Sequence, residues 1–403
     1  MQKEKVIIIG AGLGGVALAI ALIQKGFAVE VYEQAPTLGE IGAGIQVSPN
    51  ACRVLTSLGA LEEVKSLSAR PSEYRFRLFE NGETLQTIPL GDTFLERNGF
   101  PYLTIHRADL HRALTNRLSA ISPEAMHLNC KAISIDETEG GVTVEFDGGH
   151  RAKGDLIVGA DGIKSIVRKQ VLGPTSATYT GDQAWRVMVE AKLLPEELRP
   201  KTVDIWVGPG RHAVVYPLRG GEIVNFVGLV EDETWEDESW AAKRPWADLK
   251  ADFSGWSQEI QAILDVANRD ECYRWALNIR QPMRGWSTRR AVLLGDSAHA
   301  TLPYMAQGAA MALEDAIILA RALEMPGSIS DRFDVYEDAR FERTSKVVLE
   351  STANRTLFHL PTADQLREGF RSRNVGAERN SWLYSYDATT APLRTLSSAE
   401  LAG

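Results

Sequence analysis

Three glycines and one acid near the start of the chain have the spacing of a dinucleotide-binding site. They belong to the run GAGLGG, which occupies residues 10–15, and to Glu33, which follows Gly15 by 18 residues. Gly10 would allow a tight turn, Gly12 would let a pyrophosphate approach the backbone, and Gly15 would let a helix pack closely on a strand. Glu33 is placed to accept hydrogen bonds from a ribose diol. Because a carboxylate would repel a 2′-phosphate, the pattern favours FAD or NAD over NADP.

This motif needs a strand before it and a helix after it, and the sequence predicts both. Residues 6–9 are β-branched and apolar, as in a central strand of a parallel sheet. Residues 16–25 predict a helix whose free N–H groups would face the phosphates, and Ala28–Tyr32 predicts the next strand. The apolar run 6–23 has the minimum length of a membrane span or signal segment, but its four glycines argue against both.

Two further acids follow predicted buried strands. Asp161 and Gly162 come after the strand at 155–159, and Asp296 comes after the strand that begins at Ala291. Ligands of open α/β sheets bind where the carboxyl ends of parallel strands meet. We therefore expect one large dinucleotide to lie across a single sheet and to reach all three strand ends.

The remaining pattern alternates between helical and strand segments. Helices are predicted at 51–58, 109–118, 246–267, 309–323 and 332–357, after a glycine-containing loop at 39–50. Strands are predicted at 74–79, 84–88, 132–135, 142–146, 203–207, 213–217 and 224–230. The last thirty or so residues read as polar and irregular, with 382–384 docking on the body of the protein.

Composition and cysteine usage limit the class of protein. The 403 residues carry a net charge of −9, which argues against nucleic acid or an acidic membrane as a general partner. The three cysteines are far apart and without metal-ligand spacing. We therefore expect a cytoplasmic protein with no disulfide framework and no metal site.

The glycine turn with Glu33, the pair Asp161-Gly162 and the pair Gly295-Asp296 together resemble the single-component FAD-dependent aromatic hydroxylases, the para-hydroxybenzoate hydroxylase class. The resemblance covers about residues 4–350. Within the class, residues 42–46, 49–50 and 305–308 are most similar to salicylate hydroxylases, 3-hydroxybenzoate 6-hydroxylases and 6-hydroxynicotinate 3-monooxygenases. Gln46 matches the hydroxybenzoate group, whereas the hydroxynicotinate group has histidine at this position. Pro303, however, departs from the hydroxybenzoate group, which has glutamine there. The aromatic substrate therefore stays open.

The resemblance implies bound FAD, with NADH or NADPH as a transient co-substrate and O₂ as the oxidant. It implies that Arg107 lies near the pyrophosphate, that Asp296 binds the ribityl chain, and that Pro303 and residues 305–310 lie beside the isoalloxazine. The residues expected to bind FAD are Gly10, Gly12, Leu13, Gly14, Gly15, Glu33, Gln34, Gly44, Arg107, Asp161, Gly162, Asp296, Gln307, Gly308, Ala309 and Ala310. No second glycine motif follows a strand, so NAD(P)H is expected to bind only transiently.

Hydroxylation through a flavin C4a-hydroperoxide would need a dry pocket and a base that removes the phenolic proton. His212 matches a histidine of these relatives, and histidine has a pKa suited to this role. Tyr216, four residues on, falls on the same strand face and would orient the substrate. Taken alone, the two residues also fit a partly exposed histidine and a core tyrosine. The expected substrate pocket is completed by Gln46 and Pro303.

We predict an α/β fold: a Rossmann-like FAD-binding domain, an interleaved β-sheet substrate domain that forms an α+β layer, and C-terminal helices. The predicted FAD-binding segments are 1–70, 106–180 and 286–360, the substrate-domain segments are 71–105 and 181–285, and the tail is 361–403. The predicted activity is FAD-dependent hydroxylation of a small phenolic or hydroxypyridine acid in aromatic catabolism. The alternatives are a two-electron FAD oxidase or dehydrogenase and a non-catalytic NAD-binding redox sensor. Whether the chain forms a homodimer stays open.

Overall fold

The computed structural model describes residues 3–39, 43–234, 242–373 and 380–395. Its strands are, in chain order, β1 Lys5–Ile9, β2 Ala28–Tyr32, β3 Gly44–Val47, β4 Glu73–Leu78, β5 Thr84–Pro89, β6 Leu103–His106, β7 Met126–His127, β8 Ala132–Thr138, β9 Gly141–Phe146, β10 Arg151–Gly154, β11 Leu156–Gly159, β12 Thr178–Glu190, β13 Val203–Gly208, β14 Arg211–Leu218, β15 Ile223–Glu231, β16 Tyr273–Ile279 and β17 Ala291–Leu293.

Its α-helices are α1 Leu13–Gln24, α2 Pro49–Leu58, α3 Leu61–Leu67, α4 Asp92–Asn98, α5 Arg107–Ile121, α6 Ile166–Leu172, α7 Trp246–Asp252, α8 Gln258–Asp265, α9 Asp296–His299, α10 Gly308–Ala322, α11 Ile329–Phe358, α12 Ala363–Arg373 and α13 Ser381–Tyr384. The mixed α/β fold class predicted from the sequence is confirmed.

A parallel sheet of order β17-β11-β1-β2-β7 forms the first layer. Every neighbouring pair in it is parallel, so the carboxyl ends of its strands lie along one edge. Val6, Ile7 and Ile8 of β1 are fully buried. Helix α1 packs against this sheet and against α5 and α10, and it is buried from Leu13 to Leu22. Burial on every side explains why its sequence is apolar all round.

Among the residues that the structure describes, no helix combines the length and the apolar character that a bilayer crossing requires.

The second layer is a seven-stranded sheet of order β16-β12-β15-β14-β13-β4-β5. The hairpin β4–β5 is antiparallel, as predicted, and joins the later strands through a parallel pairing of β4 with β13. An early segment of the chain is thus built into a sheet whose other strands come from residues 178–279. Strand β12 begins at Thr178, inside the segment predicted to bind FAD, so the sheet starts slightly earlier than the predicted boundary at 181.

Three sequence predictions of local structure were wrong. The predicted loop at 39–50 contains β3, whose backbone pairs with β6 in register Gly44↔His106, while residues 40–42 of that loop, including Gly42, lie outside the described residues. The predicted helix at 246–267 is two helices, because Gly255 has φ +77° between buried Phe253 and Trp256.

The third error concerns the last thirty or so residues, which were predicted to be irregular but contain the short helix α13. The segment 361–403, assigned as the tail, also holds α12, which precedes those residues. The side chains of Leu366 and Phe370 in α12 are buried. Leu383 and Tyr384 are buried as well, which confirms that 382–384 docks on the protein.

Candidate active site

The segments that follow β1, β11 and β17 pack directly against one another at the carboxyl edge of the parallel sheet. A Cβ on Gly10 would lie 2.5 Å from the carbonyl oxygen of Ala160, and a Cβ on Gly14 would lie 2.6 Å from Leu294. Both distances are too short for any side chain, so the glycines permit this approach. The strand ends singled out in the sequence therefore meet in space.

A cavity of about 400 Å³ begins at the glycine turn and extends to the face of the seven-stranded sheet. Its walls come from both layers, so neither layer forms it alone. Of the residues predicted to bind cofactor or substrate, those that line it are Gly12, Leu13, Gly14, Gly44, Gln46, Arg107, Gly162, His212, Tyr216, Asp296, Pro303, Gly308 and Ala309.

Other predicted residues do not line this cavity; they are Gly10, Gly15, Glu33, Gln34, Asp161, Gln307 and Ala310. Gly10 and Gly15 instead shape the turn. Gly10 has φ +100°, and a Cβ on Gly15 would lie 2.1 Å from the carbonyl oxygen of Gly10. Gln34 is exposed, and Ala310 is buried inside α10.

The two acids among these residues bind the protein's own backbone. Glu33 accepts hydrogen bonds from the N–H groups of Ala11 (2.9 Å) and Ala35 (2.8 Å), so its carboxylate braces the glycine turn. A carboxylate offers about four acceptor positions, which leaves capacity for a ribose.

The carboxylate of Asp161 accepts hydrogen bonds from the backbone N–H groups of Ile166 (2.7 Å) and Val167 (3.2 Å) at the start of α6. It therefore holds α6 rather than facing the cavity, whose wall at this point comes from Ala160 and Gly162. Asp296, in contrast, is exposed at the first position of α9 and lines the cavity.

Gln307 fixes the loop that leads into α10. Its side chain is buried, donates to Ser48 Oγ at 3.1 Å and accepts from Asn50 Nδ2 at 3.0 Å. Asn50 also donates to Glu314 of α10 at 2.7 Å. This network holds the N-terminus of α10 in place, with Gly308 on the cavity wall, so that the helix dipole favours negative charge in the adjacent part of the cavity.

The described residues fit a flavin dinucleotide. A Cβ on Gly12 would have no atom within 4 Å, so the backbone there is open toward a ligand. The first N–H groups of α1 have no partners within the helix and suit a pyrophosphate. The cavity then continues past Asp296 to the N-terminus of α10, as an extended cofactor with an electron-accepting ring requires.

His212, Val214 and Tyr216 alternate along β14, and all three line the cavity. The His212 side chain is buried, and its ring centroid lies 4.7 Å from that of Tyr304. Its Nδ1 lies 2.8 Å from Nε2 of His359. Burial lowers the pKa of His212 well below its usual value, and the neighbouring His359 ring lowers it further.

Tyr216 lies at the junction of the two layers. A Cβ on Gly44 would lie 2.6 Å from its phenolic oxygen, and the N–H of Gly44 donates to Asn225 Oδ1 at 2.8 Å. Burial raises the pKa of Tyr216, so its hydroxyl stays protonated and can donate a hydrogen bond. Gln46 on β3 is held in place by the hydroxyl of Tyr102, which donates to its Oε1 at 2.6 Å.

Sequence reasoning missed several residues of the cavity wall, including Tyr304, Phe358, Trp275 and Arg186. The Arg186 guanidinium lies 5.3 Å from the ring centre of Tyr273 and 5.2 Å from that of Trp275. Ala184 and Arg186 share one face of β12, so the alternation of that strand was the available signal.

Comparisons with known proteins agree with this geometry. The sequence model of the family described as FAD binding domain matches residues 3–351. The chain is 36% identical over 388 residues to a 3-hydroxybenzoate 6-hydroxylase of Polaromonas naphthalenivorans, covering 95% of this chain and 96% of the relative. It is 35% identical over 402 residues to a 6-hydroxynicotinate 3-monooxygenase of Pseudomonas fluorescens, covering 97% of each. A salicylate hydroxylase solved as a substrate complex is 26% identical with a TM-score of 0.82, covering 98% of this chain and 100% of that one. The resemblance found in the motifs is confirmed.

Proposed function

Since the chain belongs to the FAD binding domain family and is an FAD-dependent aromatic-ring monooxygenase, we propose that it hydroxylates a small phenolic or hydroxypyridine carboxylic acid with NADH or NADPH and O₂. The observation that carries this proposal is a single cavity that joins the glycine turn and the N-terminus of α10 to His212 and Tyr216. The names of the similar enzymes, which refer to hydroxybenzoate and hydroxynicotinate, support the substrate class.

Bound FAD supplies reducing power taken from NAD(P)H and the activation of O₂. The chain's own part is to exclude water from the reacting groups, because water would divert the reduced cofactor from hydroxylation. Ile205, Val214, Val227 and Leu229 give the sheet side of the cavity an apolar surface.

We assign the removal of the phenolic proton to His212. Its Nδ1 is engaged with His359, and Nε2 has no hydrogen-bond partner among the residues that the structure describes. The neutral ring can therefore accept a proton at Nε2, and removing the phenolic proton makes the ring more electron-rich. Tyr216, protonated, would donate to the substrate, and the guanidinium of Arg186 brings positive charge that suits a carboxylate.

The His212→Ala variant tests the assignment. We expect normal FAD content and hydroxylation reduced by the ~10²–10⁴-fold typical of a lost base. The exposed His150, in the turn between β9 and β10, gives a matched control as His150→Ala. Coupled turnover unchanged in His212→Ala would remove His212 from the reaction.

A panel of salicylate, hydroxybenzoates and hydroxynicotinates would identify the substrate by substrate-stimulated NADH or NADPH oxidation with the product identified by mass. The two-electron oxidase alternative predicts that the substrate alone reduces the flavin and yields no hydroxylated product. The redox-sensor alternative predicts a colourless protein that binds NAD, whereas the proposal predicts a yellow one.

Location and assembly are further parts of the proposal. Cys52, Cys130 and Cys272 are all free thiols, which supports a reducing compartment such as the cytoplasm, and cell fractionation checks this. Size-exclusion chromatography with light scattering would decide whether the chain forms a homodimer.

A further inference from the structure

We propose that His359 and Glu231 form a proton relay that fixes the ring tautomer of His212 and carries the substrate's phenolic proton from the buried cavity to solvent. The proposal rests on the proposed role of His212 as the base. His359 and Glu231 would be positioning and relay residues, since neither lines the cavity.

The three groups form a continuous line of short contacts across three elements. His212 Nδ1 on β14 lies 2.8 Å from His359 Nε2, at the end of α11. His359 Nδ1 lies 2.8 Å from Glu231 Oε1, at the end of β15. His359 therefore uses opposite ring nitrogens for its two neighbours, and His212 has Nε2 left on the side away from His359, which is the geometry that passes a proton through a ring.

The carboxylate at the outer end dictates where the ring protons sit. An ionised Glu231 only accepts hydrogen bonds, so His359 must carry its proton on Nδ1 and leave Nε2 as an acceptor. His212 must then carry its own proton on Nδ1, toward His359. The lone pair of His212 is thereby placed on Nε2, the nitrogen that a base needs free.

Burial makes an exit for the proton necessary. His212 is 1% exposed, and its surroundings disfavour a charged ring. His359 is the residue that caps the C-terminus of α11, so its ring lies at the negative end of the helix dipole. The side chain of Glu231 is 41% exposed, so the line ends in water.

The charged groups around the line keep Glu231 ionised. Arg355 Nη2 lies 3.2 Å from Glu231 Oε1 and also binds Asp182, which accepts a hydrogen bond from the hydroxyl of Tyr304 at 2.9 Å. The hydrogen bond from His359 lowers the pKa of Glu231, and the charge of Arg355 lowers it further.

Asp182, Glu231 and His359 also have ligand atoms within 4.8 Å of one another, as a metal site would. Arg355 already provides a cation here, because its guanidinium contacts both carboxylates. We therefore assign the group to proton transfer and not to a metal.

The transfer is balanced without any change of oxidation state. The phenolic O–H bond breaks as its proton binds His212 Nε2, and the Nδ1 proton of His212 passes to His359 Nε2. The Nδ1 proton of His359 then passes to Glu231, which releases it to water. After hydroxylation, a proton taken up from water through Glu231 and His359 reaches His212 Nδ1, and His212 Nε2 gives its proton to the phenolate oxygen of the product, which restores the starting tautomers.

The His359→Gln variant separates relay from structure. A glutamine can accept from His212 and donate to Glu231, which retains both hydrogen bonds, but it cannot pass a proton through itself. Salicylate, 3-hydroxybenzoate or 6-hydroxynicotinate, as selected by the panel, serves as the probe in the holoenzyme. Its deprotonation after binding is followed by rapid-mixing absorbance across pH.

We expect His359→Gln to slow deprotonation at least about tenfold, with FAD content and probe affinity unchanged and with partial rescue by added imidazole. Glu231→Gln should slow it as well, and Glu231→Asp should recover part of the rate. Glu83 provides the matched control, since it is 42% exposed and pairs with Arg367 at 2.8 Å, so Glu83→Gln should leave the rate unchanged.

Wild-type deprotonation rates and pH profiles in both His359→Gln and Glu231→Gln would overturn the relay. If His359→Gln does not fold, Glu231→Gln at the exposed end decides alone. A His212→Ala variant with normal deprotonation would instead refute the proposed base. A slow His212→Ala together with normal relay variants would refute only the relay.

Discussion

The ring of Tyr216 lies so close to Gly44 that a Cβ on Gly44 would be 2.6 Å from both the phenolic oxygen and Cε2. Gly44 begins β3, whereas Tyr216 belongs to β14 of the seven-stranded sheet. This contact sets how closely the two layers approach beside the cavity.

Replacing Gly44 by alanine tests that contact. We expect Gly44→Ala to lower the free energy of unfolding by ~1–3 kcal/mol through overpacking and to raise the KM for the aromatic substrate, because Tyr216 must move. Thermal unfolding and steady-state kinetics measure the two effects. Gly91, which has φ −76° and no atom within 4 Å of a built Cβ, is the control. Equal behaviour of the two variants would contradict the tight contact.

The first and last glycines of the turn differ from the middle one in what a methyl group would meet. A Cβ on Gly12 meets no protein atom within 4 Å, but one on Gly15 meets the carbonyl of Gly10 at 2.1 Å. We therefore expect Gly12→Ala to fold normally and to lose FAD affinity, and Gly15→Ala to lose the fold. Flavin fluorescence on dialysis and the melting temperature of the apoprotein distinguish these outcomes. Tight FAD binding by Gly12→Ala would place the pyrophosphate elsewhere.

Asp315 is a buried acid that accepts hydrogen bonds from Gly295 N (3.0 Å) and Arg340 Nε (2.7 Å) and pairs with His299 Nε2 (2.7 Å). Breaking such a buried pair costs ~3–5 kcal/mol, so Asp315→Asn should be strongly destabilised at neutral pH. Denaturant unfolding measures the loss. An exposed substitution, Asp364→Asn, is the control and should change little.

The pH dependence of the same variant has a definite sign. Burial raises the pKa of Asp315, but the charges of His299 and Arg340 outweigh it and hold the pKa below its ordinary value of 3.8. The stabilisation is complete above pH 3.8 and is lost as pH falls through the folded value. The difference between wild type and Asp315→Asn should therefore shrink below that pH. A constant difference would show that Asp315 does not titrate in this way.

His212 gives a second pH prediction. Its pKa in the folded protein lies well below the ordinary 6.5, since burial and His359 disfavour the charged ring. The unfolded chain then binds more protons below pH 6.5, so the free energy of unfolding should decrease as pH falls. The His212→Gln variant should show a flatter dependence in this range. Equal slopes for wild type and His212→Gln in denaturant titrations would show that folding does not lower the pKa of His212.

Local patterns in the sequence were sufficient for the nucleotide-binding frame. The GAGLGG run indicates a nucleotide site because a strand precedes it and a helix follows it. Contiguous apolar residues were enough to predict both the strand at Lys5–Ile9 and the helix at Leu13–Gln24. The resemblance to a known class supplied His212, which no local pattern would have separated from a surface histidine. Asp161 illustrates the limit, because an acid after a buried strand can equally hold a helix, as its contacts with α6 show.

The sequence by itself determined the fold class, because that class depends on residues that are close in the chain. The cofactor and the reaction class followed from the resemblance of its motifs to a known class. Only the tertiary structure decided which groups surround His212, the proposed base. His212 and His359 are 147 residues apart and come together where the end of α11 packs against the seven-stranded sheet. Contacts at such separation depend on how whole elements pack, and no periodicity of one segment encodes them.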